Sequence, residues 1–376
     1  MKQIDNVAAG FGPLPRGGRV GEGAYIRRPR PAQPGGGRAG EGASEWRTRH
    51  GAWRRRRGAH RGAAVLMALF VAALATLIVS GLFYRQFVLL RTIENQQLTS
   101  QSRLLLRGAL DWGRAILRED ANRSQYDALS EPWSQPLAET RLDQLGETAS
   151  LAALATIAGS MEDAQGRLNL RNLVENGQVI ERELQSLRRL VALLQLPEQT
   201  AELIALRMAQ AMPAALVPDQ SGNLSSADIS ARDRPRPLPL MLPQDLAGIV
   251  GIDPAAVQRL APYIVVLDER TPVNANTASP EVIAARVPDL TLAEARTLVA
   301  ERDRLSYFNN TGEVRTRLGN KGALVTDAEL STASRFFFIR GEVKLDRAVT
   351  RMEALVKRAI PGQGQQAVAV LWTREI

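Results

Sequence analysis

Residues 62–84 read GAAVLMALFVAALATLIVSGLFY, an uncharged apolar run that follows the arginines Arg54, Arg55, Arg56, Arg57 and Arg61 and ends at Arg85. At ~1.5 Å of rise per residue, roughly 22 residues cross a ~30 Å hydrocarbon core once. Backbone groups in lipid have no water to bond, so such a segment is helical. One run of this kind in 376 residues predicts a single-pass protein, with everything after it on one side of a membrane.

Charge predicts the orientation. Residues 1–62 hold fourteen Lys or Arg and four acids, a balance of +10 against +9 for the whole chain, so the remainder carries −1. Basic residues beside a span stay cytoplasmic. The expected topology is therefore N-terminus inside and the long C-terminal part outside. The near-neutral remainder lacks the basic footprint of a nucleic-acid binder.

The chain contains no cysteine, and its two histidines, His50 and His60, both precede the span. The exported part thus has no thiolate nucleophile, disulfide, imidazole base or His-ligated zinc. No paired-carboxylate constellation stands out either. No catalytic residue, metal site or cofactor is assigned, and the protein is expected not to be an enzyme.

The pattern of residues divides the chain. Residues 1–62 form a Gly/Pro/Arg-rich leader that cannot bury a core. After the span at 63–84, apolar residues recur at helical spacing: Phe87, Leu90, Ile93, Leu98, Leu105, Ala109, Trp112 and Ile116, with no proline before Glu119. This predicts an amphipathic continuation of the membrane helix to a total of ~50 residues. The alternative is two helices broken near Gly81. Residues 120–150 read as loop and short helix, and 153–172 as two short strands around the polar turn Glu162 to Gly166.

Helical periodicity returns at Leu184, Leu187, Leu190 and Leu194, and Pro197 with Glu198 starts a new helix. Residues 213–243 read as loop. Two helical hairpins follow at 242–264 and 276–303, with Asp253 and Ser279 as N-caps ahead of Pro254 and Pro280, and Thr291 with Glu294 as a capping box. Runs at 335–345, 349–357 and 367–372 read as closing antiparallel strands. Early and late strands share a sheet only if the helices between them are an insertion. The expected fold is α+β: a long N-terminal helix on an antiparallel sheet, with 85–174 and 331–376 as one module and an all-α, helical-hairpin (SAM-like) insert at 175–330.

The basic flank, Gly62 and the span resemble a type IV pilin-like processing signal. That resemblance implies cleavage between Gly62 and Ala63 by a prepilin peptidase, and methylation of the new terminal amine. Most pilin-like subunits carry a glutamate five residues into the mature helix; here that place holds Met67. One branch lacks the glutamate, and three segments resemble its motifs. Glu162-Asp163-Ala164-Gln165-Gly166-Arg167-Leu168-Asn169-Leu170 is similar to D-x-Q-G-R-x-N-L. Pro272-Val273-Asn274-Ala275-Asn276-Thr277-Ala278 is similar to I-N-V-N-T-A. Ser334-Arg335-Phe336-Phe337 is similar to S-x-x-F. Together, in this order, they resemble the minor pseudopilin K family (GspK) of the type II secretion system. The leader is longer than that family usually shows, as a start codon assigned too early would explain.

The resemblance implies a pilin-like helix and sheet with an all-α insert, anchored by one span in the bacterial inner membrane with its C-terminal domain in the periplasm, at the tip of a periplasmic pseudopilus with minor pseudopilins I and J. It also implies calcium in acidic D-W-I-D-x-D and G-A-E loops. Neither segment is found here. The corresponding stretch keeps Asp219, Asp228 and Asp233 without adjacent carboxylates, whereas calcium takes six to eight oxygens. The candidate partner-binding residues are Leu90 and Ile93, which precede the globular part and so lack an intramolecular partner. A second reading makes the hairpins a membrane-anchored helix-hairpin-helix receptor for DNA uptake. The first hairpin contains Gly248 and Gly251, but the turn at Val287-Pro288-Asp289 has no glycine and the charge is near zero, so binding to nucleic acid is not expected.

Overall fold

The computed structural model describes residues 61–145, 155–212, 236–304, 307–359 and 368–376. The basic leader before residue 61 and most of the 213–243 loop, with Asp219, Asp228 and Asp233, lie outside the described residues.

Helix α1 spans Arg61–Arg123, 63 residues without a break at Gly81. Every described side chain from 63 to 97 is exposed. Among the described residues this is the one helix long and apolar enough to cross a membrane.

Past Leu98 the helix lies on a five-stranded antiparallel sheet. Its strands are β1 (Leu137–Arg141), β2 (Ala155–Asp163), β3 (Phe336–Leu345), β4 (Ala348–Arg358) and β5 (Val368–Glu375), hydrogen-bonded in that order. The last three follow the apolar and alternating runs in the sequence. β1 does not: its LAETR segment has no apolar alternation and no fully buried residue, so residues 120–150 read as loop. It is a strand because β2 offers it an edge.

The face of α1 against the sheet is rotated from the expected stripe. Ser102, Leu106, Leu110, Gly113, Leu117, Asp120 and Ala121 are the buried positions. Leu98, Leu105, Ala109 and Ile116 only flank the core, and Trp112 is 51% exposed. The seam includes a serine and Gly113, where an added Cβ would stand 3.1 Å from Ile339. Small residues let helix and sheet approach, and an apolar count passes over them. Leu106, Leu110 and Leu117 meet Trp133, Ile157, Phe337, Ile339 and Val343. Polar ties along its length fasten α1 to the module: Arg347 donates to Glu94 (2.9 Å) and Asn95 (3.1 Å), Arg103 to Glu375, and Arg114 to the Val368 carbonyl (2.8 Å).

Everything from Ala164 to about Ser334 is inserted between β2 and β3. Its α-helices among the described residues are α2 (Glu181–Leu193), α3 (Gln199–Ala211), α4 (Pro254–Leu260), α5 (Pro280–Arg286), α6 (Leu292–Arg304) and α7 (Thr311–Arg317). Caps form as the sequence indicates. Asp253 accepts from the Ala255 N–H, Ser279 from the Val282 N–H, and Thr291 and Glu294 bond reciprocally. The first half of the first hairpin is a 3-10 turn, Pro243–Gly248, rather than an α-helix.

Two details differ from an all-α insert that starts at 175. Residues 168–169 are not a second strand of the sheet. They pair in parallel with 264–265, and Leu168 and Leu170 join the insert core. Further two-residue ladders join 174–175 to 178–179 and 273–274 to 330–331. These pairs are too short to leave a periodic signal. A small apolar layer closes the other face of the sheet: Phe336, Phe338 and Leu355 pack on Val265 and Leu267 of the insert.

Candidate functional site at the junction of sheet and insert

The three segments that carry the resemblance converge where the insert leaves and rejoins the sheet. Asp163 is the last residue of β2, and Ser334 lies just before β3. Asn274 and Thr277 come from the insert. Asp163 accepts from the Gln165 N–H (2.7 Å), Asn274 Nδ2 (2.9 Å), Thr277 Oγ1 (2.6 Å) and Ser334 Oγ (2.6 Å). Asn274, fully buried, also donates to Ser334 Oγ and to the Asp127 carbonyl, and its own oxygen accepts from the Asn276 N–H.

The rest of the motif residues extend this network. Gln165 donates to the Pro272 carbonyl and accepts from the Arg335 N–H, bonding the middle of the insert and the start of the return to the sheet. Asn169 donates to the Glu269 carbonyl and accepts from the Leu267 N–H. Asn276 exchanges two bonds with the Phe308 backbone. Gly166 makes the close approach possible: a Cβ there would stand 3.0 Å from Thr277 Oγ1 and 3.2 Å from its carbonyl carbon. Each buried polar atom named here has a partner, as burial requires.

Residues absent from the motifs complete the knot. Asp120 ends the buried face of α1, and Asp127 lies in the following loop. Arg358, at the end of β4, donates to Asp120 (2.9 Å), to both Asp127 oxygens (2.7 Å) and to the Ser334 carbonyl (2.9 Å). Asp127 Oδ2 also accepts from the Ser334 N–H at 2.7 Å. Asp120, Asp127 and Glu131 bring carboxylate oxygens within 4.8 Å of one another. A guanidinium already bridges the first two, so no ion is assigned there. Burial pushes the Asp120 carboxyl up to about 7, with Glu131 and Asp127 adding to the effect and Arg358 opposing it. Spacing alone offered no signal for these residues, because they meet only in the folded chain.

The residues singled out for processing and partner contact lie elsewhere, on α1. Gly62 is in its first turn, and Ala63 is exposed. Met67 is 74% exposed, Leu90 60% and Ile93 42%. Glu94, one residue beyond, is the first tied to the sheet module, and the hydrogen bond from Arg347 holds its carboxyl below the ordinary range.

A long helix, exposed and apolar at its N-terminal half and packed on an antiparallel meander beyond, defines a pilin-like membrane-anchored subunit. Two models of "Type II secretion system (T2SS), protein K" match residues 166–269 and 273–333. A type II secretion system protein K of Pseudomonas aeruginosa is 27% identical over 305 residues, 77% of this chain and 86% of the relative. One of Klebsiella pneumoniae is 28% identical over 265 residues, 64% of this chain and 75% of the relative. The crystal structure of the GspK-GspI-GspJ complex from enterotoxigenic Escherichia coli shares the fold, with a TM-score of 0.56 and 20% identity over 75% of this chain and 98% of that one. The chain belongs to the type II secretion system protein K family, the minor pseudopilins K.

This assignment replaces the DNA-uptake reading, which none of these comparisons supports. The first hairpin's Gly251 is also turned against the insert: a Cβ there would stand 3.1 Å from Leu203.

Proposed function

We propose that the chain is the tip subunit of a type II secretion pseudopilus and supports export of folded proteins across the outer membrane. The observation that carries the proposal is the division of α1. Its apolar side chains from Val65 to Ile93 are exposed, and burial on the sheet begins only beyond Leu98. The exposed length is suited first to lipid and then to neighbouring helices.

The arginine-rich flank favours a cytoplasmic N-terminus and a periplasmic sheet and insert. Removal of the leader between Gly62 and Ala63 by a prepilin peptidase, followed by methylation, fits the glycine at the start of the helix. Partners of the protein K class are suggested by the Escherichia coli complex, whose title joins GspK to GspI and GspJ. On this reading minor pseudopilins I and J contact Leu90 and Ile93. Met67 supports a place at the tip. A carboxylate in lipid is costly without a partner charge, and a terminal subunit has no neighbour above it to supply one. No cofactor and no nucleic-acid partner are proposed.

N-terminal sequencing of the protein recovered from membranes tests the reading. An N-methylated Ala63 supports it; a mature chain that still carries the leader overturns it.

A further inference from the structure

The junction is short of positive charge. Asp120, Asp127 and Asp163 are buried and Glu131 is half-buried, and Arg358 pairs with the first two, Asp120 and Asp127. The facing charged groups are Asp120 from α1, Asp127 and Glu131 from the loop after it, Asp163 from β2 and Arg358 from β4. Asn274, Thr277 and Ser334 supply only neutral groups, and the Arg335 side chain is paired with Glu269. Glu131 Oε2 accepts from the Ala128 N–H and from Trp133 Nε1. Asp163 accepts only from neutral donors among the described residues.

Fully ionised, four carboxylates against one guanidinium leave an excess of three negative charges in a place largely closed to water. Burial of uncompensated charge is relieved by proton uptake. These same side chains hold both crossings between the sheet and the insert. A cavity of about 560 Å³ lies beside the cluster, lined by Gln165, Ser334, Arg358 and the arginines Arg123, Arg270 and Arg335, and none of the four carboxylates lines it.

We propose that this carboxylate cluster is a proton-operated clasp: with an added proton it holds the insert seated on the sheet, and loss of that proton loosens the seating. Burial raises Asp127 despite Arg358, and pushes Asp163 up to about 6 despite the bonds from Ser334 and Thr277. A folded-state pKa above the unfolded value of about 4 means the folded protein holds the proton more tightly. The cluster's contribution to stability is therefore full below pH ~4 and falls as pH rises to about 7.

Other groups do not imitate this slope. Side-chain hydrogen bonds hold Glu139, Glu294, Glu342 and Glu375 below the ordinary carboxylate range. Both histidines precede residue 61.

The full chain in detergent micelles provides the test. Its melting temperature is expected to fall by about 5 °C between pH 5 and pH 8, and Asp120→Asn is expected to flatten that slope. Glu131→Gln, outside the Arg358 pairs, is expected to lessen it and serves if Asp120→Asn does not fold. The chain has no cysteine, so Ala138→Cys with Glu301→Cys takes one spin label on β1 and one on α6. The distance distribution is expected to be narrow at pH 5 and broader at pH 8. A wild-type melting temperature that is flat or rises over this range, a slope retained in both variants, or a distribution unchanged with pH overturns the clasp.

Discussion

Asp163 and Asn274 stand 111 positions apart in sequence and share a hydrogen bond of 2.9 Å, the buried contact between the exit strand of the sheet and the inserted helical block. The two family segments, 166–269 and 273–333, begin and end around this bond. Asp163 precedes the first, Asn274 stands near the start of the second, and Ser334 directly follows it. The motifs thus mark where a foreign block is joined to a pilin-like sheet.

Asp163→Ala should destabilise the protein by about 3 kcal/mol, since it leaves buried donors on Asn274, Thr277 and Ser334 without their acceptor. Thermal unfolding of the full chain measures this. A melting temperature equal to that of the wild type would show that the knot contributes nothing to stability.

Arg358→Met should cost more at neutral pH, about 3–5 kcal/mol, because it leaves Asp120 and Asp127 buried without a cation. The loss should shrink at pH 5. Both carboxyls are already raised by burial with Arg358 present, and without it they take protons more readily, which removes the uncompensated charge. The pH dependence of the variant's melting temperature checks the sign: a larger loss at pH 5 than at pH 8 contradicts the argument.

Gly62→Ala should block removal of the leader and leave a membrane product heavier by residues 1–62. Mass spectrometry of both forms decides the matter. If wild type and variant have equal full-length mass, cleavage at this bond does not occur.

Leu90→Asp with Ile93→Asp should weaken copurification with minor pseudopilins I and J and leave the melting temperature nearly unchanged. Both side chains are exposed and precede Glu94, where contacts with the sheet begin. Burial of apolar surface, rather than charge, is the expected source of affinity in a chain whose residues after Gly62 carry a balance of −1. Undiminished copurification would move the contact elsewhere, to the strands or the insert.

Local chemistry made much of this legible. A 23-residue apolar run without charge has one physical outcome in lipid, so the span could be read directly from residues 62–84. Caps at Asp253, Ser279 and Thr291 depend on a side chain and an N–H two or three residues away, and each formed as read. The order of long helix, strands, helices and strands likewise implied an insert in a sheet.

What the fold alone decided depends on distant partners. The sequence by itself placed an apolar stripe on α1, but which face met the sheet was settled by close approach at Gly113 and burial of Ser102, where low side-chain volume counts for more than hydrophobicity. β1 is a strand only because β2 leaves an edge to pair with. The motifs named Asp163, Asn274 and Ser334, yet Arg358, Asp120 and Asp127 were invisible until the chain closed, because a buried ion pair spanning 238 or 231 positions leaves no period and no spacing in the sequence. The sequence determined which elements form, since those depend on neighbours along the chain. The tertiary structure decided which surfaces and charges meet, since burial and Coulomb attraction act through space.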